Sequence, residues 1–322
     1  MRSRSFKRSF KPLLLSLLAM SAFAVNADSP RPVLSQPPVP LLWKVSDADN
    51  SVYLLGSFHL LKPGDYPLSK DVDAAFADAE SLVFEMTPEE MASPALGMQM
   101  GQAALRTDGS KLDSELPPAT VAMLEKWLAG NGAELQKAGV TAQVMQMFEP
   151  WFAGLMISIV EMTKQGLDPK LGLDSHFAER ATQANKPTAG LETGAEQIAF
   201  LDGMGKEEQI QFLTEALTEA EEGSAETVKL HKAWRAGDAR LLWEDMGVEM
   251  KKEYPRLYRR INVARNDAWV PKVEQRLTRP GTDDTLVVVG ALHLLGPDGL
   301  VEKLRAKGYR VERVCSACRP GM

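Results

Sequence analysis

One pattern occurs twice in this chain, once near each end. Residues 54–61 read LLGSFHLL and residues 288–295 read VVGALHLL. Each is an apolar run, a glycine, two residues, a histidine and two leucines. The chain has four histidines, and this frame uses His59 and His293. Apolar runs of this length, bounded by turn residues, read as buried strands. Ahead of the first motif, LLWKV and SVYLLGS flank SDADN, whose Ser, Asp and Asn favour a turn, so a β-hairpin is predicted. After the first motif, PLSKDVDAAFADAE places Val72, Ala75, Phe76 and Ala79 at helical spacing, with Ser69 as a candidate N-cap. SLVFEM follows as a short strand. After the second motif, GPDGLVEKLRAKG reads as a helix and YRVERVC as a strand. Strand-helix-strand units favour parallel pairing. The expected fold is α/β: a mixed central sheet built from two pseudo-symmetric strand-loop-helix-strand units, flanked by helices.

Between the two motifs the chain reads as a large helical insertion, about residues 88–186 and 194–279. It is rich in Ala, Met, Leu, Gln and Glu and is punctuated by Gly130, Gly132, Pro150 and Gly166. Its methionines suit adaptable core packing, and the glutamates from Glu215 to Glu226 suit a solvated helix face. LGLDSHFAERATQANKP reads as a helix capped by Asp174, which leads into a strand at PTAGLE ending at Glu192.

The termini bound the cellular setting. Arg2, Arg4, Lys7, Arg8 and Lys11 precede an apolar run at residues 13–25, and Val25-Asn26-Ala27 is a small-x-small cleavage signal. This is the layout of an export signal over residues 1–27, and the apolar run is short for a membrane span. A periplasmic or secreted protein is expected, with no integral membrane segment after cleavage. A proline-rich leader, residues 28–40, would then precede a single domain over residues 41–322. The full chain carries a formal charge of −6, and loss of the five basic residues before the cleavage point makes that −11. Such an acidic chain is a poor partner for nucleic acid. Cys315 and Cys318, in VCSACRPGM, form a CxxC. A redox pair would open a helix, and a zinc site needs two further ligands. A small disulfide formed in an oxidising compartment is the favoured reading.

Ligands in α/β sheets gather at the carboxyl ends of strands, where both motif histidines emerge. Gly56 and Gly290, three residues earlier, allow close backbone packing as each strand opens into its loop. Two converging imidazoles suit a divalent metal, and two histidines with one carboxylate leave positions open for water and substrate. Glu85, at the end of SLVFEM, is the carboxylate candidate, because a lone charge ending an apolar strand calls for a cation or donor. Otherwise it lies outside the strand and faces water. His176 is a candidate for a supporting or acid/base role, and His231, in KLHKAW, reads as structural or surface.

Taken together, LLWKVSDADNSVYLLGSFHLL, LVFEM, GLDSHFAERA, KPTAGLETGAEQIAFLD, YRRINVARNDAW and VVVGALHLLGPDGLVEKLRAKGYRVERV resemble the TraB/GumN family. That family is related to the Tiki metalloproteases and, more distantly, to erythromycin esterase-like proteins. The resemblance covers residues 41–314 and implies a divalent-metal site of His59, Glu85 and His293. Further family positions fall on Asp174, Glu192, Gln197, Arg265 and Asn266. It implies a metal-dependent hydrolase, peptidase-like, acting on a peptide or small-molecule substrate with Mn, Co or Zn. In that reading Glu192, or Glu85 if it is not a ligand, takes a proton from water and Arg265 stabilises the developing oxyanion. The alternative is a protein of the same fold that holds a metal, haem or peptide without turnover. The terminal CxxC lies outside the family's core pattern.

Overall fold

The chain folds around a six-stranded sheet whose two central strands carry the repeated motif. The computed structural model describes residues 36–318 apart from Ser224. The expected export signal, residues 1–27, lies outside the described residues, as does the start of the proline-rich leader. The strands are β1 (Leu42–Ser46), β2 (Ser51–Ser57), β3 (Ser81–Phe84), β4 (Thr188–Gly190), β5 (Thr285–Gly290) and β6 (Arg310–Arg313). Their order across the sheet is β4-β3-β5-β2-β1-β6. The expected hairpin is present: β1 pairs antiparallel with β2 from Leu42↔Leu55 to Ser46↔Ser51. Its turn is fastened by Asp47, whose Oδ1 accepts from the backbone N–H groups of Asp49 and Asn50.

The parallel pairing expected within the first unit takes a different form. β2 and β3 run the same way, but β5 lies between them and pairs in parallel with both. Thr285 to Gly290 is buried along its whole length. An apolar strand of this kind is satisfied by a neighbour on each edge and helices on both faces. The two units therefore interleave, and the motifs come side by side with Gly56 opposite Val289 and Ser57 opposite Gly290.

The motif glycines have reciprocal reasons to be glycine. A Cβ on Gly56 would stand 3.0 Å from Leu41 Cβ and 3.3 Å from Ala291 Cα, the first residue beyond β5. A Cβ on Gly290 would stand 3.1 Å from His59 Nε2 and 3.3 Å from Glu85 Oε1. Each glycine makes room for the other motif.

Helices occupy most of the insertion. Several start with proline at the first helical turn, where its missing N–H costs nothing: Pro94–Ala104, Pro118–Gly130 and Pro150–Lys164. The last of these buries Trp151 and packs lengthwise on the Lys206–Glu222 helix. None of the described helices is long and apolar enough to cross a membrane.

The Ala225–Ala236 helix reaches back to the first motif. Trp234 Nε1 donates to Gly56 O at 3.0 Å. His231 is buried rather than on the surface, with Nε2 2.8 Å from Oδ2 of Asp65, the last residue of the short 3-10 helix Pro63–Asp65 after His59. Arg235 bonds the other oxygen of Asp65. At the tail, Cys315 and Cys318 form a disulfide.

Replacing Gly56 by valine should overpack the β2–β5 seam and cost about 1–3 kcal/mol. Urea denaturation followed by circular dichroism measures this. A midpoint unchanged from wild type would show that the seam yields freely.

Candidate functional site

The carboxyl ends of β2, β3, β4 and β5 place His59, Glu85, Glu192 and His293 around one buried point. Glu85 sits just past β3, and it is 3 % exposed, so it does not face water. Gly290 N donates to Glu85 Oε1 at 2.8 Å. Gln197, one turn into the Gly194–Asp202 helix, donates to Glu85 Oε2 at 3.2 Å. Glu192 follows β4, its N–H bonded to Glu85 O at 2.8 Å.

Asp174 does not cap its helix. The helix is Leu173–Gln183 with Gly172 as N-cap, so Asp174 lies inside the first turn. Its carboxylate turns toward the sheet instead, and Oδ2 accepts from His59 Nδ1 at 2.6 Å and from Ser57 Oγ at 2.5 Å. The helix start is held there because Leu173 N donates to Phe58 O at 3.1 Å. Gly172 packs so tightly on the His59 carbonyl that a side chain would overlap it.

The hydrogen bonds fix both tautomers. A carboxylate accepts, so His59 carries its proton on Nδ1. Asn266 donates Nδ2–H to Asp298 O at 2.8 Å, which turns its Oδ1 toward His293 Nδ1 at 2.7 Å. His293 therefore also donates from Nδ1. In the neutral rings both Nε2 lone pairs are left pointing inward. That of His59 is buried with no hydrogen-bonding partner, and that of His293 accepts from Arg265 Nη1 at 3.1 Å.

Arg265, from the Ala264–Leu277 helix, is the buried cation of the site. Its Nε lies 3.0 and 3.1 Å from the two oxygens of Glu192. Its Nη2 lies 2.5 Å from Glu192 Oε1 and 2.6 Å from Glu85 Oε2. Trp269 donates Nε1–H to Glu192 Oε2 at 3.0 Å and sets its ring against His293, centroids 4.5 Å apart.

Burial and charge pull these groups apart. Burial opposes the His59 imidazolium, but Asp174 outweighs it and lifts the group above its ordinary value. Burial, with Arg265 adding, holds His293 well below its ordinary value, so it stays neutral. Burial, with Glu85 adding, raises Glu192 in spite of Arg265. Glu85 and Glu192 face the Arg265 guanidinium, and Asp174 faces His59. With both imidazoles neutral, two negative charges stand uncompensated inside the protein, a costly state unless a further cation joins.

The predicted residues are thus assembled: His59, Glu85, Asp174, Glu192, Gln197, Arg265, Asn266 and His293 form one network. Asn266 is fully buried. His176 is not in the network; its ring lies against Tyr66 and Phe177, with centroids 4.4 and 5.2 Å away. Among the described residues, no three His, Cys, Asp or Glu side chains are grouped to hold a metal ion as they stand. Ser57 and Trp269 belong to the network although the sequence reading passed over them. Both lie inside quoted motifs, Ser57 between the glycine and histidine of the first and Trp269 three residues beyond Asn266.

The model of the TraB/PrgY/gumN family matches residues 41–313. The chain belongs to the TraB/PrgY/gumN family. It is similar to the protein YbaP of Escherichia coli strain K12, at 22 % identity over 254 residues, covering 79 % of this chain and 87 % of that protein. YbaP of Shigella flexneri matches to the same extent. No solved structure matches. The matched span contains every residue of the network.

The His59–Asp174 pair makes stability depend on pH. A raised folded-state value means that protonation of His59 stabilises the fold fully below its ordinary value of about 6.5. That contribution is lost as the pH rises through the folded value. In Asp174→Asn, burial without the carboxylate disfavours the imidazolium. The substitution should cost about 1–3 kcal/mol near pH 5.5 and distinctly less near pH 8. Urea midpoints at the two pH values measure the difference, and an equal loss at both would refute the pairing.

Proposed function

We propose that this protein is a metal-dependent hydrolase of the periplasm or the exterior, acting on peptide bonds. The observation that carries the reading is the buried, unpartnered Nε2 of His59, whose ring is oriented from behind by Asp174. Histidines that ligate metals donate their other ring N–H to an oxygen in this way, and His293 does the same to Asn266. The donor set fits a divalent ion in chemistry and charge. Two imidazole lone pairs and the Glu85 carboxylate point inward, and the site's charge calls for a further cation. His59, Glu85 and His293 would hold the metal, whose identity among Mn, Co and Zn this donor set leaves open. When bound, such an ion acidifies water and polarises a carbonyl.

The chain's own groups then have distinct tasks. Asp174 and Asn266 orient the imidazoles. Glu192, whose burial raises its proton affinity, receives a proton at a carboxylate oxygen. Arg265 presents its guanidinium N–H donors to oxygen that gains negative charge. The Trp269 ring shields His293 from water. The expected export signal and the Cys315–Cys318 disulfide support an oxidising compartment.

A second reading, binding without turnover, is favoured by one observation: each side chain of the network is 9 % exposed or less. A peptide needs an approach that this arrangement keeps closed, whereas a small ion does not.

Metal analysis of the purified full chain tests the first step. Wild type should take up one equivalent of Mn, Co or Zn, and His59→Ala or His293→Ala should weaken binding by about ten- to a hundredfold. Failure of the wild type to bind any of the three ions would end the metal reading. Cleavage of a peptide library separates the two functions. In an enzyme it should fall by about a hundredfold or more in Glu85→Ala. Metal uptake without any cleavage would favour binding alone.

A methyl group on Gly290 would reach His59 Nε2 and Glu85 Oε1. Gly290→Ala should therefore weaken metal uptake about as much as loss of a ligand, a change read by the same titration.

A further inference from the structure

We propose that Arg265 and the divalent ion are alternative occupants of the His293 Nε2 lone pair, so that the guanidinium acts as a built-in competitor for the metal. The inference rests on the metal reading above and concerns how the site is filled.

Apart from the bond of Nη1 to Ile261 O at 3.2 Å, the hydrogen bonds of Arg265 fall into two groups. Three of them go to Glu192: Nε to both oxygens at 3.0 and 3.1 Å, and Nη2 to Oε1 at 2.5 Å. Trp269 holds the same carboxylate from the other side. This end of the guanidinium is anchored. The remaining side-chain contacts are single bonds, Nη2 to Glu85 Oε2 at 2.6 Å and Nη1 to His293 Nε2 at 3.1 Å. The bond to His293 uses the lone pair that a metal would need. His59 Nε2, the third donor atom, has no partner. Of the three candidate ligands, two are thus held by a cation from the chain, and the one that Arg265 does not reach is the orphan.

Two cations cannot share the His293 lone pair, since it accepts one bond. An ion that binds His59, Glu85 and His293 must displace Nη1 from His293, whereas Glu85 can offer it Oε1, 3.9 Å from His293 Nε2, and keep Oε2 on Nη2. A ligand shifts such an equilibrium only by its preference for one state over the other. Here the metal gains the His293 lone pair and relieves the uncompensated negative charge. Arg265 keeps its three contacts to Glu192, and Gln197 keeps Glu85 in place at 3.2 Å. The Nη1–H released from His293 would then be available to a substrate oxygen that gains charge, while Nη1 keeps its bond to Ile261 O. The exchange makes Arg265 a filler of the metal-free site and a donor in the loaded one. It also lowers the apparent metal affinity, because every binding event must break its bond to His293.

Titration of the full chain with Mn, Co and Zn, read by calorimetry or by competition with a chromogenic chelator, tests this. Arg265→Gln removes the competing charge, and binding should tighten by roughly tenfold or more. Arg265→Lys keeps the charge but lacks the planar fork that spans Glu192, Glu85 and His293 together, and its affinity should fall between the two. Should Arg265→Gln fail to fold, as judged by circular dichroism, Arg265→Lys and the wild type still decide. In wild type labelled with nitrogen-15 at arginine, saturating Zn should move the Arg265 Nη resonances and leave Nε–H, held by Glu192, nearly unshifted. Equal or weaker binding in the folded variants, or Nη resonances that ignore Zn, overturns the exchange and leaves the metal site standing. If neither wild type nor variants bind any of the three ions, the exchange falls together with the metal reading.

Discussion

The parallel ladder between β2 and β5 is the contact from which the rest of the structure follows. It joins segments more than two hundred residues apart in the chain and sets Ser57 opposite Gly290. With that register, His59 and His293 leave adjacent strands at the same end of the sheet. β3, on the other edge of β5, delivers Glu85 to the same level, and β4 delivers Glu192 next to it. A slip of one residue would turn the side chains of either strand to the opposite face and separate the two imidazoles. The two glycines protect this register, since each clears space for the opposite motif.

Upon that ladder the site is built as a charge problem. Three carboxylates and a guanidinium are taken out of water together, and the protein answers with dense pairing. Every oxygen of Glu192 meets Arg265 or Trp269, and Glu85 meets a backbone N–H, an amide and the guanidinium. Breaking such a network leaves an uncompensated buried charge, which is why its members act as a unit. The helical insertion serves this end as well. The Leu173–Gln183 helix supplies Asp174, the Gly194–Asp202 helix supplies Gln197, and the Ala264–Leu277 helix supplies Arg265, Asn266 and Trp269.

Much of the fold could be read from residues alone. The hairpin was legible because SDADN has turn chemistry between two apolar runs. The central strands were legible because VVV and VYLL are β-branched and aromatic-rich and free of charge. The interleaving of the two units was not legible, since a strand-helix-strand pattern does not say whether another strand will enter between its members. Asp174 shows the same limit at a smaller scale. Its place before an amphipathic run suits a cap, but the close approach of Gly172 to the His59 carbonyl moves the helix start and frees the carboxylate for the imidazole. His231 reads as a mid-helix residue among lysines, and only the position of Asp65 in a distant short 3-10 helix makes it a buried partner.

By itself the sequence determined the element types, the two matched glycine-histidine frames and, through its motifs, the family. Those properties are local, or repeat along the chain, and so survive without coordinates. Tertiary structure decided which groups share one buried volume and which atoms face inward. It showed that Arg265 lies between Glu85, Glu192 and His293, and that, of the two inward-facing imidazole nitrogens, the one without a partner belongs to His59. The reason is physical: a tautomer, a lone pair or a competing cation is defined by neighbours a few ångströms away, and those neighbours come from segments far apart in the chain.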